Sequence, residues 1–183
     1  MTTILLARHG ETDWNVERRV QGHSDTPLND RGRGQARALA EELAGEPIDA
    51  VYSSDLLRAH ETARIVAEQR GLDVTAIRDL REKNFGTWEG LTDVEINERF
   101  PQTLDLSWRD WGDGETRQEM ADRVLAALHR IAETHPGQRV LVVSHGGPLR
   151  AVLQHCRIDG VARIDNCHVV RVEVVDGGLR AVD

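Results

Sequence analysis

The chain has 183 residues, of which 39% are hydrophobic and 30% are charged, a composition that predicts one soluble globular domain over residues 1–183. Its formal net charge of −8 argues against a nucleic-acid or anionic-membrane partner, so an anionic ligand would need a local cluster of positive charge. The sequence has no apolar run of membrane-spanning length, no signal peptide and no disulfide framework in its two cysteines, which predicts a cytoplasmic location.

Strands and helices alternate along the chain. Short apolar runs predict strands at Thr3–Ala7, Asp49–Ser53, Asp73–Arg78, Arg139–Ser144 and His168–Val175. Apolar residues at helical spacing predict helices at residues 31–44 and 56–67, after a capping box at residues 116–119, and at residues 149–156. This alternation predicts a three-layer α/β/α sandwich with a mostly parallel central sheet and His168–Val175 as an antiparallel edge strand.

One segment, at about residues 84–115, departs from this pattern. It contains three of the four tryptophans, and we predict an irregular insertion with one short helix near Thr92–Arg99. Such an insertion is a candidate lid or pocket wall. Trp108 and Trp111 flank Arg109 and Asp110 in this segment. The two tryptophans either form an aromatic wall for a ligand or pack the insertion onto the domain.

Basic side chains follow the predicted strands. The first strand ends in Arg8-His9-Gly10, and the strand at Arg139–Ser144 ends in His145-Gly146-Gly147. The strand at Asp49–Ser53 leads into the helix whose first turn contains Arg58. Because ligands bind beyond the carboxyl ends of the strands in open α/β sheets, we expect these side chains to meet at one edge.

Two arginines and two histidines at one edge predict a phosphate site. A guanidinium group matches phosphate oxygens bidentately, and a neutral imidazole can attack phosphorus to form a phosphoenzyme. The leaving alkoxide then needs a proton, for which Glu82, after the third strand, is the leading candidate. Glu11 and Glu89 are weaker candidates for this proton donor.

The order of several short motifs resembles the histidine phosphatase superfamily, the phosphoglycerate-mutase-like proteins, over nearly the whole chain. The matching blocks are Arg8-His9-Gly10-Glu11-Thr12-x-Trp14-Asn15, Gln21-Gly22, Ser53-Ser54-Asp55-Leu56-x-Arg58, Leu80-x-Glu82-x-x-Phe85-Gly86-x-Trp88-Glu89-Gly90, Gly114-Glu115-Thr116 and Val143-Ser144-His145-Gly146-Gly147. Each block alone is a weak signal, whereas the set in this order is specific.

The resemblance implies a role for most of these side chains. His9 is similar to the phosphorylated nucleophile, and Arg8, Arg58 and His145 to the groups that neutralise the phosphoryl oxygens. Glu82 matches the general acid, which would activate water in the second half of the reaction. The remaining candidates, as contacts of phosphate or substrate, are Asn15, Gln21, Gly22, Ser24 and Gly146. The family uses no metal, and the sequence contains no metal motif such as HExxH, so we expect this chain to need no metal and no other cofactor.

Hydrolysis of a small phosphorylated metabolite, such as a sugar phosphate, a phosphoglycerate-like ester or a nucleoside phosphate, is the favoured function. The Phe-Gly-x-Trp-Glu-Gly form at residues 85–90 and the short length resemble the phosphatase branch. The alternatives are a cofactor-dependent phosphoglycerate-type mutase, a protein phosphatase, and a pseudo-enzyme that only binds phosphorylated molecules. A monomer and a homodimer are both compatible with the sequence.

Overall fold

The computed structural model describes residues 1–101, 112–158, 164–175 and 178–182. The strands are β1 (Thr2–Arg8), β2 (Ala50–Ser53), β3 (Val74–Ala76), β4 (Arg139–Ser144), β5 (Val169–Val175) and β6 (Gly178–Val182). The helices are α1 (Asp13–Val16), α2 (Asp30–Glu42), α3 (Leu57–Glu68), α4 (Asp93–Arg99), α5 (Arg117–Thr134) and α6 (Gly146–His155). Within these residues no helix combines the length and the apolarity needed to cross a membrane.

The six strands form one sheet in the order β3-β2-β4-β1-β5-β6. The first four are mutually parallel, and β5 runs antiparallel to both of its neighbours. In the register of β1 and β4, Arg8 lies opposite Ser144. The two histidines that follow these residues are therefore brought to the same edge of the sheet.

The alternation of side chains along the central strands builds two hydrophobic cores, one on each face of the sheet. On one face, Ile4 and Leu6 of β1 pack with residues of α5 and α6. On the other face, Leu5 and Ala7 pack with residues of α2 and α3. All four of these side chains are fully buried. The predicted three-layer sandwich with a mostly parallel sheet is confirmed.

The antiparallel side of the sheet differs from the prediction in one respect. The strand predicted at His168–Val175 is antiparallel, but it pairs on one side with β1 and on the other with β6, so the edge is a pair of strands. The sequence did not indicate β6, because its five residues, GLRAV, contain a glycine and too few alternating apolar positions to be distinguished from a loop. Similarly, the strand predicted at Asp73–Arg78 shortens to Val74–Ala76 and continues into a 3₁₀ turn at Arg78–Leu80.

The described part of the predicted insertion contains a 3₁₀ turn at Gly86–Trp88 and the short helix α4. Thr92 caps α4 by accepting a hydrogen bond from the Glu95 amide, which confirms the helix predicted near Thr92–Arg99. Trp88 is buried and stacks on Phe100, with ring centroids 5.7 Å apart. Trp108 and Trp111, the two other tryptophans of the predicted lid, lie outside the described residues.

Candidate active site

A cavity of about 240 Å³ opens at the carboxyl ends of β1 and β4. The predicted site residues among its walls are Arg8, His9, Asn15, Gln21, Gly22, Arg58 and Glu82. His145 lies directly behind this wall, fully buried, with its ring centroid 5.2 Å from that of His9. The fold thus brings together the five side chains predicted to be catalytic.

The imidazole ring of His9 is held by a hydrogen bond at one of its two nitrogens. Its Nδ1 lies 2.6 Å from the carbonyl oxygen of Gly10, and since a carbonyl only accepts, Nδ1 carries the proton. The lone pair is then on Nε2. The loop is fixed by the Gly10 amide, which donates to Thr62 Oγ1 on α3 at 3.0 Å. Burial, followed by the charges of Arg58 and Arg8, holds the pKa of His9 well below its usual range. His9 is therefore a neutral imidazole at physiological pH, which is the form that can act as a nucleophile.

Arg58 is completely buried in the first turn of α3. Its Nη1 donates to the Ser24 carbonyl and its Nη2 to the Gly22 carbonyl, both at 2.8 Å. Burial lowers the pKa of this guanidinium to about 10, against the opposing effect of Glu82, so it stays charged at neutral pH. Its Nε has no hydrogen-bond partner among the described residues and remains able to bind an anion.

His145 is the second buried imidazole. Neither of its ring nitrogens has a hydrogen-bond partner within the described ranges, although an unpaired buried polar group costs about 1–3 kcal/mol. Burial, then the charge of Arg58, lowers its pKa well below the usual range. An unsatisfied ring N–H this close to His9 fits a site that is completed by an anionic ligand.

Glu82 projects into the same cavity and is fixed by two backbone amides. Its Oε1 accepts from the Lys83 amide at 2.9 Å and its Oε2 from the Gly147 amide at 3.1 Å. A Cβ atom at position 147 would lie 2.0 Å from Glu82 Oε1, so any other residue here would displace this carboxylate. The predicted proton donor therefore depends on a glycine at the start of α6. The two weaker candidates, Glu11 and Glu89, are not among the cavity walls in the described residues.

The predicted contacts Asn15 and Gln21 line the cavity, but their oxygens are engaged within the protein. Asn15 Oδ1 accepts from the Thr12 amide at 3.1 Å, as part of the capping box of α1. Gln21 Oε1 accepts from the hydroxyls of Thr12 and Thr26. Their amide nitrogens are consequently the groups that can donate to an anion.

Gly22 and Ser24 act through their backbones. Their carbonyls hold Arg58, and the Ser24 hydroxyl donates to Glu89 Oε2 at 2.8 Å, away from the cavity walls. Gly22 has φ +52° and packs so closely on Glu89 that a Cβ atom would lie 2.1 Å from Oε1. Glu89, a weaker candidate for the proton donor, instead accepts hydrogen bonds from the amides of His23 and Ser24 and so holds this loop. Gly146 also lies outside the walls, which contain Gly147 in its place.

The cavity has further cationic and apolar walls, which are Arg19, Val20, Lys83, Phe85, Arg117, Met120 and Arg150. Of these, only Phe85 lies in the segment at about residues 84–115 that the sequence predicted as a pocket wall. Lys83 is 5% exposed, with its Nζ 4.5 Å from the centre of the Phe85 ring. In the sequence it stands in a run of charges that is typical of a solvated surface, and Arg117 and Arg150 lie on helices far away in the chain. Among the described residues, no group of three or more His, Cys, Asp and Glu side chains could hold a metal ion.

Comparison with known proteins agrees with this geometry. Residues 4–183 match the family model of the histidine phosphatase superfamily, branch 1. Phosphoglycerate mutase-like protein 4 of Arabidopsis thaliana is 42% identical, covering 95% of this chain and 80% of the relative. The metal-independent phosphoserine phosphatase of the same plant is 42% identical, covering 83% of this chain and 67% of the relative.

A solved structure of mycobacterial glucosyl-3-phosphoglycerate phosphatase with VO3 superimposes with a TM-score of 0.86 at 31% identity, covering 98% of this chain and 96% of that chain. The match of the family model over nearly all residues and these relatives lead to one conclusion: the chain belongs to the histidine phosphatase superfamily.

Proposed function

We propose that the chain hydrolyses small phosphate monoesters without a metal ion, through a covalent phosphohistidine at His9. The observation that carries this proposal is the hydrogen bond from His9 Nδ1 to the Gly10 carbonyl at 2.6 Å, which leaves Nε2 as the nucleophile. His9 is also 3% exposed and kept neutral beside two guanidinium groups, which favour an approaching phosphate. The chain is a phosphoric monoester hydrolase by its family and its phosphatase-named relatives.

The proposed reaction has two halves. In the first, His9 Nε2 bonds to phosphorus, the ester P–O bond breaks, and the carboxylic acid of Glu82 gives its proton to the leaving alcohol. In the second, Glu82 takes a proton from water, the resulting hydroxide bonds to phosphorus, and the P–N bond breaks to release phosphate. The charges of Arg8 and Arg58 stabilise the phosphoryl oxygens in both halves.

The cavity walls favour a substrate whose alcohol part carries a second acidic group. Lys83, Arg117 and Arg150 line the cavity together with apolar surface from Phe85 and Met120, while Glu82 is its one carboxylate among the described residues. In a chain of net charge −8, this concentration of cations is a local feature that suits an anionic organic ligand. Two relatives are named as phosphatases of such esters, phosphoserine and glucosyl-3-phosphoglycerate. A cavity of about 240 Å³ suits a small ester better than a protein surface.

The experiment that tests this proposal is phosphate release from a panel of phosphomonoesters in the presence of EDTA. We expect turnover by the wild type, none by His9→Ala, and full turnover by His155→Ala, which removes an exposed histidine at the end of α6. Esters with a carboxylate on the alcohol should have kcat/KM values about tenfold above those of neutral esters of equal size.

Loss of turnover in EDTA would refute metal independence, and normal turnover by His9→Ala would refute the covalent mechanism. If no ester is hydrolysed, isomerisation of 3-phosphoglycerate distinguishes the mutase alternative, since some relatives carry mutase names.

A cytoplasmic location belongs to the same proposal and is supported by Cys156 and Cys167, which are free thiols. For the oligomeric state, we propose either a monomer or a homodimer.

A further inference from the structure

We propose that Arg123 and Glu115 are positioning residues that fix Glu82 in the orientation needed for proton transfer. This inference rests on the proposed function, since it assumes that Glu82 is the general acid. Arg123 lies on α5, and Glu115 belongs to the Gly114-Glu115-Thr116 block at its start. Neither residue is among the described cavity walls, so both act on the reaction through Glu82.

Arg123 uses all five of its N–H donors around one turn of the chain. Nη1 donates to the carbonyls of Asp79 and Arg81 at 2.8 and 2.7 Å. Nη2 donates to the Glu82 carbonyl at 2.7 Å. The remaining two donors, on Nε and Nη2, form a bidentate pair with the Glu115 carboxylate, at 2.8 Å each. A planar guanidinium group is the side chain that can satisfy this set, because a lysine has three donors on a single atom.

Glu115 ties the same guanidinium group to the segment after Glu82. Its Oε2 accepts from the Asn84 amide at 3.3 Å, and its own amide donates to the Asn84 carbonyl at 3.1 Å. The ion pair with Arg123 is mostly buried, with side-chain exposures of 21% and 17%. Removal of either partner would leave the other charge uncompensated in a poorly solvated place.

Two more contacts complete the support of this turn. His23 Nε2 donates to the Glu82 carbonyl at 2.9 Å, so this oxygen receives two donors. The Ser144 hydroxyl donates to the Leu80 carbonyl at 2.7 Å. The four consecutive carbonyls of residues 79–82 are therefore all held by side chains.

The Glu82 carboxylate is held by amides at its other end, from Lys83 and Gly147, so its backbone and its head group are fixed independently. A turn in which each carbonyl is bonded to a side chain of another element has little freedom to shift. Because a misplacement of about 1 Å can cost about a hundredfold in rate, loss of the guanidinium group should act on proton transfer.

The test is a comparison of leaving groups by kcat/KM, which in this mechanism reports the step that releases the alcohol. For Arg123→Lys we expect a decrease of about tenfold to a hundredfold with an alkyl phosphate, whose alcohol needs a proton, and little change with p-nitrophenyl phosphate, whose phenolate leaves without one. Inhibition by inorganic phosphate should be unchanged, because His9 and Arg58 are untouched. If Arg123→Lys does not fold, Glu115→Gln takes its place, since it keeps the shape of the side chain but loses the charge. It should also slow the alkyl phosphate more than p-nitrophenyl phosphate, but by a smaller factor.

Arg130→Lys is the matched control. Arg130 lies on the same helix and contacts the same turn, but through the exposed carboxylate of Asp79 at 2.6 Å. This variant should behave as wild type with both esters.

Glu82→Gln is measured alongside. Suppose that Glu82→Gln lowers kcat/KM more for the alkyl phosphate than for p-nitrophenyl phosphate, whereas Arg123→Lys lowers both values equally. The positioning role of Arg123 is then refuted, and the acid role of Glu82 survives. If Glu82→Gln also slows both equally, the acid role falls, and the positioning role with it.

Discussion

His9 and His145 are neutral because they are buried and because two guanidinium groups lie beside them. Burial is the largest cause of their lowered pKa values, and the charges of Arg58 and Arg8 act in the same direction. The same burial lowers the pKa of Arg58 to about 10, which is still too high for it to lose its proton at neutral pH. One environment therefore gives two chemically different results: imidazoles with a free lone pair, and a cation that attracts the phosphate.

Gly147→Ala tests the contact between α6 and the Glu82 carboxylate. An added Cβ would lie 2.0 Å from Oε1 and 3.2 Å from the sulfur of Met120, so Glu82 has to move. We expect kcat with an alkyl phosphate to fall about a hundredfold while the protein stays folded. Gly34→Ala is the control, since a Cβ there meets nothing within 4 Å, and it should keep full activity. An unchanged kcat in Gly147→Ala would mean that the position of this carboxylate is not critical.

At the scale of the element, α5 connects folding to the site. It begins with a capping box in which the Thr116 hydroxyl accepts from the Glu119 amide, and the Glu119 carboxylate accepts from the Thr116 amide at 2.7 Å. Its inner face packs on the sheet through Met120, Val124 and Leu128. Its second turn supplies Arg123. The helix that covers one face of the sheet thus also holds the turn that contains Glu82.

Thr116→Ala removes this cap and should lower the free energy of unfolding by about 1 kcal/mol. Thr116→Ser retains the hydroxyl and should cost much less. The measurement is equilibrium unfolding in urea, with kcat determined in parallel. Because the cap is exposed and neither Thr116 nor Glu119 is among the described cavity walls, we expect kcat to change less than twofold in either variant, on the order of other surface substitutions. A large loss of kcat in Thr116→Ala at conditions where it is folded would contradict this separation of stability from catalysis.

The sequence predicted the elements whose signal is local. β1 and β4 are continuous apolar runs, and the Thr116 box marks the start of α5 within the sequence itself. Motif order placed the five catalytic candidates around one cavity. The sequence did not predict residues whose role depends on a contact between distant segments. Lys83 is one example, since it looks like a surface charge in its own segment but is buried in the fold. Gly147 and Arg123 belong to the same class, because their partners become neighbours only after α5 and α6 have packed.

At the scale of the whole molecule, the two buried imidazoles make stability depend on pH. In the unfolded chain both titrate near pH 6.5, whereas in the folded protein both pKa values lie well below this. Below pH 6.5 the unfolded state therefore binds protons that the folded state excludes, so stability falls as the pH falls, by up to about 1.4 kcal/mol per pH unit for each histidine. Above pH 6.5 neither contributes.

The check is urea unfolding of the wild type and of His145→Asn between pH 7.5 and pH 5. We expect the variant to have a shallower decline in unfolding free energy below pH 6.5, because one of the two excluded protons is gone. Carboxylates contribute equally to both proteins and cancel in the difference. Parallel declines would show that His145 takes up a proton in the folded state as easily as in the unfolded one.

The position of β1 between β4 and β5 also bears on how the protein is made. During translation β1 leaves the ribosome before the other strands, yet both of its partners are encoded after most of the chain. At about 5–20 residues per second, the nascent strand waits on the order of ten seconds for them, with its apolar side chains available to chaperones or to aggregation. The nucleophile acquires its second histidine only when β4 has emerged and paired. An incomplete chain would thus contain His9 but none of the chemistry proposed for it.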